Sequence, residues 1–269
     1  MRIRSVTPAV GADVDGVHLG KLDDDTWSEV ATALAERSVL VFRDQDLDPD
    51  ALIDVGRRLG VPHIHPAAPT LDGKPEVMII HADERSKVVA GEGWHTDVSC
   101  DTEPPGETIL WVQQVPPMGG DTLFASAAAA YDALSDTMKA FLAPLTAKHE
   151  SSHVYGGRYK SNEAESRDGK YPSAVHPVVR THPITGRKAV YVNRAFTTRI
   201  NELSRAESTA VLQLLYAHQE DPIFQCRVHW EPNTVTMWDN RAVLHRALWD
   251  YFPNVRHGLR VSVVGEVPF

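Results

Sequence analysis

Three side chains in the sequence are of the types that bind a transition metal, and two of them are almost adjacent. His95 and Asp97 lie two residues apart in the segment 93–98. In an extended strand, residues i and i+2 point to the same face, so both side chains could bind one ion. His245 follows a strand-like run and a polar turn, and it is the candidate for a third ligand. Two histidines and one carboxylate on one face of an octahedral ion leave three positions open, which is the arrangement of non-haem iron(II) oxygenases.

Considered alone, this triad has other interpretations. The chain contains 13 histidines, so a His-x-Asp pair arises readily by chance, as a surface or core histidine beside a solvated aspartate. Two histidines and an aspartate also suit zinc with one bound water, which would make the protein a zinc hydrolase. The remaining motifs have to decide between these possibilities.

A series of linked motifs accompanies the metal pair. They lie at residues 94–98 (Trp-His-Thr-Asp-Val), 104–105 (Pro-Pro), 119–123 (Gly-Gly-Asp-Thr-Leu), 175–183, 191–193, 196–200 and 238–241 (Trp-Asp-Asn-Arg). In this order, with His245 downstream, they resemble the taurine dioxygenase/2,4-D dioxygenase (TauD/TfdA) family, whose members depend on iron(II) and 2-oxoglutarate. The resemblance covers nearly the whole chain. It implies a mainly β fold with flanking helices, a cupin-like double-stranded β-helix or jelly roll.

The resemblance also implies a role for each motif. The three metal-binding candidates become the iron ligands and the catalytic centre. Thr122 would bind a carboxylate of 2-oxoglutarate, and Arg256, eleven residues after His245, would hold the distal carboxylate of this cosubstrate. Arginine and threonine together supply the planar cation and the hydroxyl that a buried dicarboxylate needs. Without the family pattern there are alternatives: an arginine near the C-terminus is more often a solvated surface charge, and Thr122 could simply serve the glycine-rich turn.

The implied reaction uses O2 to hydroxylate a substrate carbon while 2-oxoglutarate is converted to succinate and CO2. Related halogenases replace the carboxylate ligand with a small residue, so Asp97 favours hydroxylation over halogenation. A jelly-roll binding protein without catalytic activity is the alternative from another class. The intact set of predicted ligands speaks against it.

The predicted substrate is a small anionic organic acid. Arg260 matches the arginine that faces the anionic group of the substrate in this family, and four residues further are predicted to contact substrate: His65, Val98, Tyr191 and Phe196. Taurine-specific members have an asparagine shortly before the metal motif, where this chain reads Val-Val-Ala-Gly-Glu-Gly at 88–93. They also have an aromatic residue near the position of Cys100 in this chain. Both departures favour an alkylsulfonate, an alkyl sulfate or an aryloxyalkanoate, with taurine as the alternative.

Whole-chain properties fit one catalytic domain over residues 1–269. The content of hydrophobic residues is 42% and of charged residues 23%, as in ordinary globular proteins. A formal net charge of −9 speaks against nucleic-acid binding, which needs a basic face. Two cysteines and the lack of a signal-like or membrane-spanning run predict a cytoplasmic protein without membrane association. Since family members are commonly dimers or tetramers, a homo-oligomer is expected.

Hydrophobic periodicity and capping residues predict the elements that position these side chains. Helices are predicted at 24–37, 49–59, 127–142 and 204–219. Strands are predicted at 39–42, 77–80, 109–115, 122–125, 175–181, 189–192, 224–230, 235–238 and 259–264. The polar segments 84–93 and 151–170 are of the length and composition of lids or binding loops.

Overall fold

A computed structural model describes residues 1–65, 68–156 and 171–269; most of the predicted loop at 151–170 therefore lies outside the described residues. The helices are α1 (Asp24–Arg37), α2 (Pro49–Leu59), α3 (Ala127–Ala133), α4 (Asp136–Leu142), α5 (Ser152–Tyr155) and α6 (Arg205–Gln219). The strands are β1 (Arg2–Ser5), β2 (Ala12–Asp15), β3 (Val39–Phe42), β4 (Pro62–His63), β5 (Thr70–Leu71), β6 (Lys74–Ala82), β7 (Pro105–Gln114), β8 (Thr122–Ser126), β9 (Thr146–Glu150), β10 (Ser173–Pro177), β11 (Val179–Thr181), β12 (Lys188–Val190), β13 (Thr197–Ile200), β14 (Gln225–Val228), β15 (Thr234–Asp239), β16 (Val243–Ala247) and β17 (Arg256–Val264). No helix within these ranges is long and apolar enough to cross a membrane.

Two sheets form the centre of the fold. The larger has the strand order β1-β2-β3-β15-β7-β17-β6-β5, with β4 paired to β17, and the smaller has the order β14-β8-β16. Buried side chains of both sheets belong to one apolar cluster that includes Leu110, Phe124, Cys226 and Trp238. Two sheets packed face to face, with helices outside, confirm the predicted double-stranded β-helix.

The central strands are buried on both faces, and this explains their continuous apolar sequences. In β3, Val39 and Val41 point into the cluster between the sheets, whereas Leu40 and Phe42 point to the core beneath α1 and α2. This alternation follows from the two-residue period of a strand. Each such side chain stabilises the folded state by about 1.5–3 kcal/mol on full burial. The central sheet is therefore a stable scaffold for the side chains of the site.

The helices begin where the capping residues predict. Asp23 accepts a hydrogen bond from the Thr26 amide at the start of α1, and Ser204 with Glu207 forms the predicted capping box of α6. The prediction of a single helix over 127–142 is wrong, because the helix is interrupted between Ala133 and Asp136. Leu134 is extended, and the Ser135 side chain accepts a hydrogen bond from the Met138 amide, which starts α4 as a separate helix.

The strand predicted over 175–181 is also two strands. β10 pairs with β9, whereas β11 pairs with β12 in a separate two-stranded sheet. Pro177 ends the first pairing because it has no amide hydrogen to donate, and the Val178 amide donates instead to the Leu145 carbonyl. β11 buries Val179 and Arg180, whereas β10 buries only His176 and leaves Val175 exposed.

Candidate metal centre

Backbone pairing brings His95 and His245 together. His245 lies in β16 opposite Phe124 of β8, and on its other side it forms an isolated bridge with His95. The His95 amide donates to the His245 carbonyl over 3.1 Å, and the His245 amide donates in return over 2.8 Å. Residues 97–100 then form a turn in place of the extended segment expected at 93–98, and Val98 has a positive φ of 42°. The motif is therefore one bridge followed by a turn, and the turn directs the Asp97 side chain.

The side chains of this triad converge on one point. His95, Asp97 and His245 each offer one ligand atom, and these three atoms lie within 4.8 Å of one another. Oδ1 of Asp97 lies 3.7 Å from Nε2 of His95 and 3.6 Å from Nε2 of His245. Nδ1 of His95 lies 2.8 Å from the Gly93 carbonyl oxygen; because a carbonyl only accepts, Nδ1 carries the hydrogen and the lone pair of Nε2 faces the other two ligands.

The other oxygen of Asp97 is fixed by a buried hydrogen-bond chain. The Thr108 hydroxyl donates to Oδ2 over 2.9 Å, and it accepts a hydrogen bond from the Asn240 amide group, also at 2.9 Å. Asn240 in turn accepts one from the Trp238 indole at 3.0 Å. The chain leaves Oδ1 free to face the imidazoles, and it gives the Trp-Asp-Asn-Arg motif a positioning role. Thr108 lies in β7 just before the apolar run that begins at Ile109, and no motif singles it out in the sequence.

The charges at the centre suit a divalent cation. Burial alone would raise the pKa of Asp97, but the Arg260 guanidinium, at 3.1 Å, and the hydrogen bond from Thr108 outweigh it and hold the pKa well below its ordinary value. Burial lowers the pKa of His95 and of His245. The carboxylate is therefore ionised and both imidazoles are neutral, which are the protonation states that a metal requires.

Thr122 and Arg256 lie together in the same cavity. Arg256 is 3% exposed, and its Nε and Nη2 have no hydrogen-bond partner in the described part of the chain. The guanidinium carbon lies 5.2 Å from the ring centre of Trp230, whose indole donates to the Thr122 hydroxyl over 3.0 Å. The hydrogen of that hydroxyl remains available. A buried cation with unpaired N–H groups is costly unless an anion joins it, so this end of the cavity fits a carboxylate.

One cavity of about 480 Å³ connects these groups, a size that is ordinary for a small-molecule site. Its lining contains all but one of the predicted site residues: His95, Asp97, His245, Thr122, Arg256, Arg260, His65, Val98 and Phe196. The exception is Tyr191, which is buried elsewhere, stacked on His149 with ring centres 5.8 Å apart and beneath the Arg180 guanidinium. Its place in the Tyr-Val-Asn motif reflects packing behind the cavity rather than a position on the cavity wall.

Part of the cavity wall is apolar. Residues 88–93, part of the predicted binding loop, line the cavity and supply Val88 and Val89 where taurine-specific sequences carry an amide. His65 lines it too; burial and then the nearby Arg260 charge lower its pKa to about 3, so its imidazole is neutral. Cys100 is fully buried behind Val98 and does not line the cavity.

Comparison with known proteins agrees with this geometry. The profile of the family described as "Taurine catabolism dioxygenase TauD, TfdA family" matches residues 2–262. The chain is 36% identical to an alpha-ketoglutarate-dependent sulfonate dioxygenase of Saccharomyces cerevisiae, over 100% of this chain and 68% of the relative. It is 32% identical to an alpha-ketoglutarate-dependent sulfate ester dioxygenase of Pseudomonas putida, over 99% and 90%. A crystal structure of a taurine dioxygenase from Burkholderia xenovorans superposes with a TM-score of 0.85 at 33% identity, covering 99% of this chain and 92% of that one.

Proposed function

Because the chain belongs to the TauD/TfdA family, we propose that His95, Asp97 and His245 bind iron(II) and that an anionic organic acid is oxidised in the cavity around them. The protein is a 2-oxoglutarate-dependent dioxygenase, an oxidoreductase that uses iron(II) and O2. When bound, the iron supplies the redox chemistry by which O2 converts 2-oxoglutarate to succinate and CO2 and hydroxylates a substrate carbon. The convergence of two neutral imidazoles and one ionised carboxylate on one point is the observation that carries this proposal.

The cosubstrate has a matching site at the Arg256 end of the cavity. The unpaired Nε and Nη2 of Arg256 present two parallel donors, which is the geometry of a bidentate arginine–carboxylate pair. The Thr122 hydroxyl, oriented by Trp230, adds a third donor. These groups bind the distal carboxylate of 2-oxoglutarate and thereby direct its keto-acid end toward the triad.

The substrate proposal depends on Arg260 and on the apolar wall. Arg260 is 9% exposed and lies on the cavity surface next to the triad, so it can hold an anionic group close to the reacting centre. Val88, Val89 and Phe196 add apolar surface to the cavity wall, which favours an alkyl chain over the ammonium group of taurine. We therefore propose an alkylsulfonate or alkyl sulfate larger than taurine, the anion classes named for two of the relatives. An aryloxyalkanoate carries the same combination of anion and apolar body.

A succinate-release screen tests this assignment. Purified protein with iron(II), 2-oxoglutarate and O2 is offered alkylsulfonates and alkyl sulfates of increasing chain length, aryloxyalkanoates and taurine, with His95→Ala as the blank. We expect succinate formation to rise from taurine to the longer sulfonates or sulfates. Fastest turnover with taurine would reject the larger substrate, and silence with every acid would reject the anionic substrate class.

We also propose that residues 1–269 act as one catalytic domain in the cytoplasm and assemble into a homo-oligomer. The reduced, buried Cys100 and Cys226 are in keeping with a reducing compartment, and the net charge of −9 is in keeping with a small-molecule substrate rather than nucleic acid. Light scattering on the eluting peak of a size-exclusion column measures the oligomeric state directly, and a monomer would reject that part of the proposal.

A further inference from the structure

Tyr251 has a buried hydroxyl group that no established contact explains. The residue is 2% exposed and lines the same cavity as Arg256 and Thr122, yet its hydroxyl has no hydrogen-bond partner in residues 1–65, 68–156 and 171–269. Burying an unpaired hydroxyl is destabilising. A group that is unpaired in the empty cavity is therefore expected to find its partner in a ligand.

The fold fixes Tyr251 relative to Thr122. The Gly120 amide donates to the Asp250 carboxylate over 2.7 Å, and the Leu248 amide donates to the Asp121 carbonyl over 2.9 Å. Gly120 has a φ of +74°, and a Cβ at this position would lie 3.2 Å from Cδ1 of Tyr251. The glycine turn that precedes Thr122 is thus hydrogen-bonded to the segment that carries Tyr251. Because Gly120 has no side chain, the phenol ring can lie close to this turn.

The chemistry of a carboxylate leaves one position for this hydroxyl. An ionised carboxylate accepts about four hydrogen bonds. Arg256 offers Nε and Nη2, and Thr122 offers one hydroxyl hydrogen, which makes three donors. We propose that Tyr251 is the fourth: its phenol donates a hydrogen bond to the distal carboxylate of 2-oxoglutarate and makes the site selective for a dicarboxylic cosubstrate. This inference rests on the proposed function, since it needs 2-oxoglutarate to bind at Arg256.

Protonation and packing agree with a donor role. Burial raises the pKa of Tyr251, although the Arg256 side chain, which lies close enough to interact with the phenol, opposes this, so the phenol keeps its proton at neutral pH. The ring packs against Ala82 and Val89, and phenylalanine would keep those contacts. Tyr251→Phe therefore removes one oxygen atom that has no partner in the empty site, and its melting temperature should be no lower than that of the wild type.

Calorimetric titration of the Mn(II)-loaded protein tests the proposal without turnover. The ligands are 2-oxoglutarate and 2-oxopentanoate, which replaces the distal carboxylate with a methyl group. Removing a hydrogen bond to a charged group weakens binding by roughly tenfold or more. We expect the Kd of 2-oxoglutarate to rise by about this factor in Tyr251→Phe, while the Kd of 2-oxopentanoate stays the same. In steady state, the KM for 2-oxoglutarate should rise at an unchanged kcat.

The matched control is Tyr216→Phe, which deletes a buried hydroxyl that donates to the Thr197 carbonyl over 3.1 Å, away from the cavity. It should leave both affinities unchanged. An unchanged affinity of Tyr251→Phe for 2-oxoglutarate would overturn the proposal, and so would an equal loss for both ligands, because that would indicate a packing role. Failure of the wild type to bind 2-oxoglutarate would instead reject the proposed function.

Discussion

Nη1 of Arg260 lies 3.1 Å from Oδ1 of Asp97, the same oxygen that faces Nε2 of both histidines. The cation proposed to receive the anionic group of the substrate therefore touches a proposed iron ligand. Its charge holds Asp97 ionised before any ligand enters. A substrate anion bound to Arg260 would consequently lie next to the metal, which places the neighbouring carbon of the substrate close to the oxidising centre.

The buried hydroxyl of Thr108 should matter for iron affinity. Thr108→Val removes the hydrogen bond to Oδ2 of Asp97 with little change in shape, so the carboxylate loses its orientation. Loss of such a supporting contact weakens metal binding by roughly 10- to 100-fold, and competition with a fluorescent chelator measures the change. Thr236→Val is the control because the Thr236 hydroxyl is buried without a partner in the described residues. Equal iron affinity in the two variants would contradict the positioning role of Thr108.

The two arginines of β17 should have separable functions. Arg260→Met should raise the KM for the organic acid by roughly tenfold or more while the Kd of 2-oxoglutarate stays the same, because the contact with the substrate anion is removed and the Arg256 site is left intact. Arg256→Met should raise the Kd of 2-oxoglutarate by a similar factor and leave the KM for the organic acid unchanged. Both measurements are made at saturating iron(II), since Arg260 also touches Asp97. If either variant weakened the binding of the organic acid and of 2-oxoglutarate by the same factor, the assignment of one arginine to each anion would be wrong.

His149 should make the protein sensitive to mild acid. It is fully buried, and burial lowers its pKa from 6.5 to about 3, so above pH 6.5 it is neutral in both the folded and the unfolded chain. Below pH 6.5 the unfolded chain takes up a proton that the folded protein excludes, and the free energy of unfolding falls by about 1.4 kcal/mol per pH unit until the pH approaches 3.

Urea denaturation between pH 7 and 5 checks this contribution. In His149→Gln the fall in the free energy of unfolding should be shallower than in the wild type by about the same 1.4 kcal/mol per pH unit. The comparison of slopes, rather than of absolute stabilities, separates proton uptake from the loss of the contact with Ser99. Parallel curves for the two proteins would show that His149 is protonated in the folded state.

Local signals in the sequence predict the elements that depend on local interactions. Asp23 and Ser204 mark the starts of α1 and α6 because capping is decided within four residues. The break between α3 and α4 is missed since an alanine-rich run has uniform helix propensity, and the Ser135 cap competes with continuation of the helix. The split of the strand at Pro177 depends on pairing with β9 and β12, which a single apolar run does not specify.

The site was predictable where a residue type is required by chemistry. His95, Asp97, His245 and Arg256 were predicted in that way, from metal ligation, carboxylate binding and the linked motifs, and the structure places all four in one cavity. Thr108 and Tyr251 were not, because a threonine in a buried strand and an aromatic residue after a turn look like core residues until long-range contacts are known. Tyr191 shows the opposite error: a motif residue can be required for packing, here against His149.

Oxygen-18 labelling tests the central claim most directly. The purified enzyme is loaded with iron(II) and incubated under 18O2 with 2-oxoglutarate and the best acid from the screen, and the products are analysed by mass spectrometry. Because the reaction divides O2 between cosubstrate and substrate, succinate should carry one labelled oxygen and form in a 1:1 ratio with oxidised substrate, and His95→Ala should form neither. Product formation without O2, or succinate without label, would contradict an iron(II) dioxygenase and favour a hydrolytic metal centre.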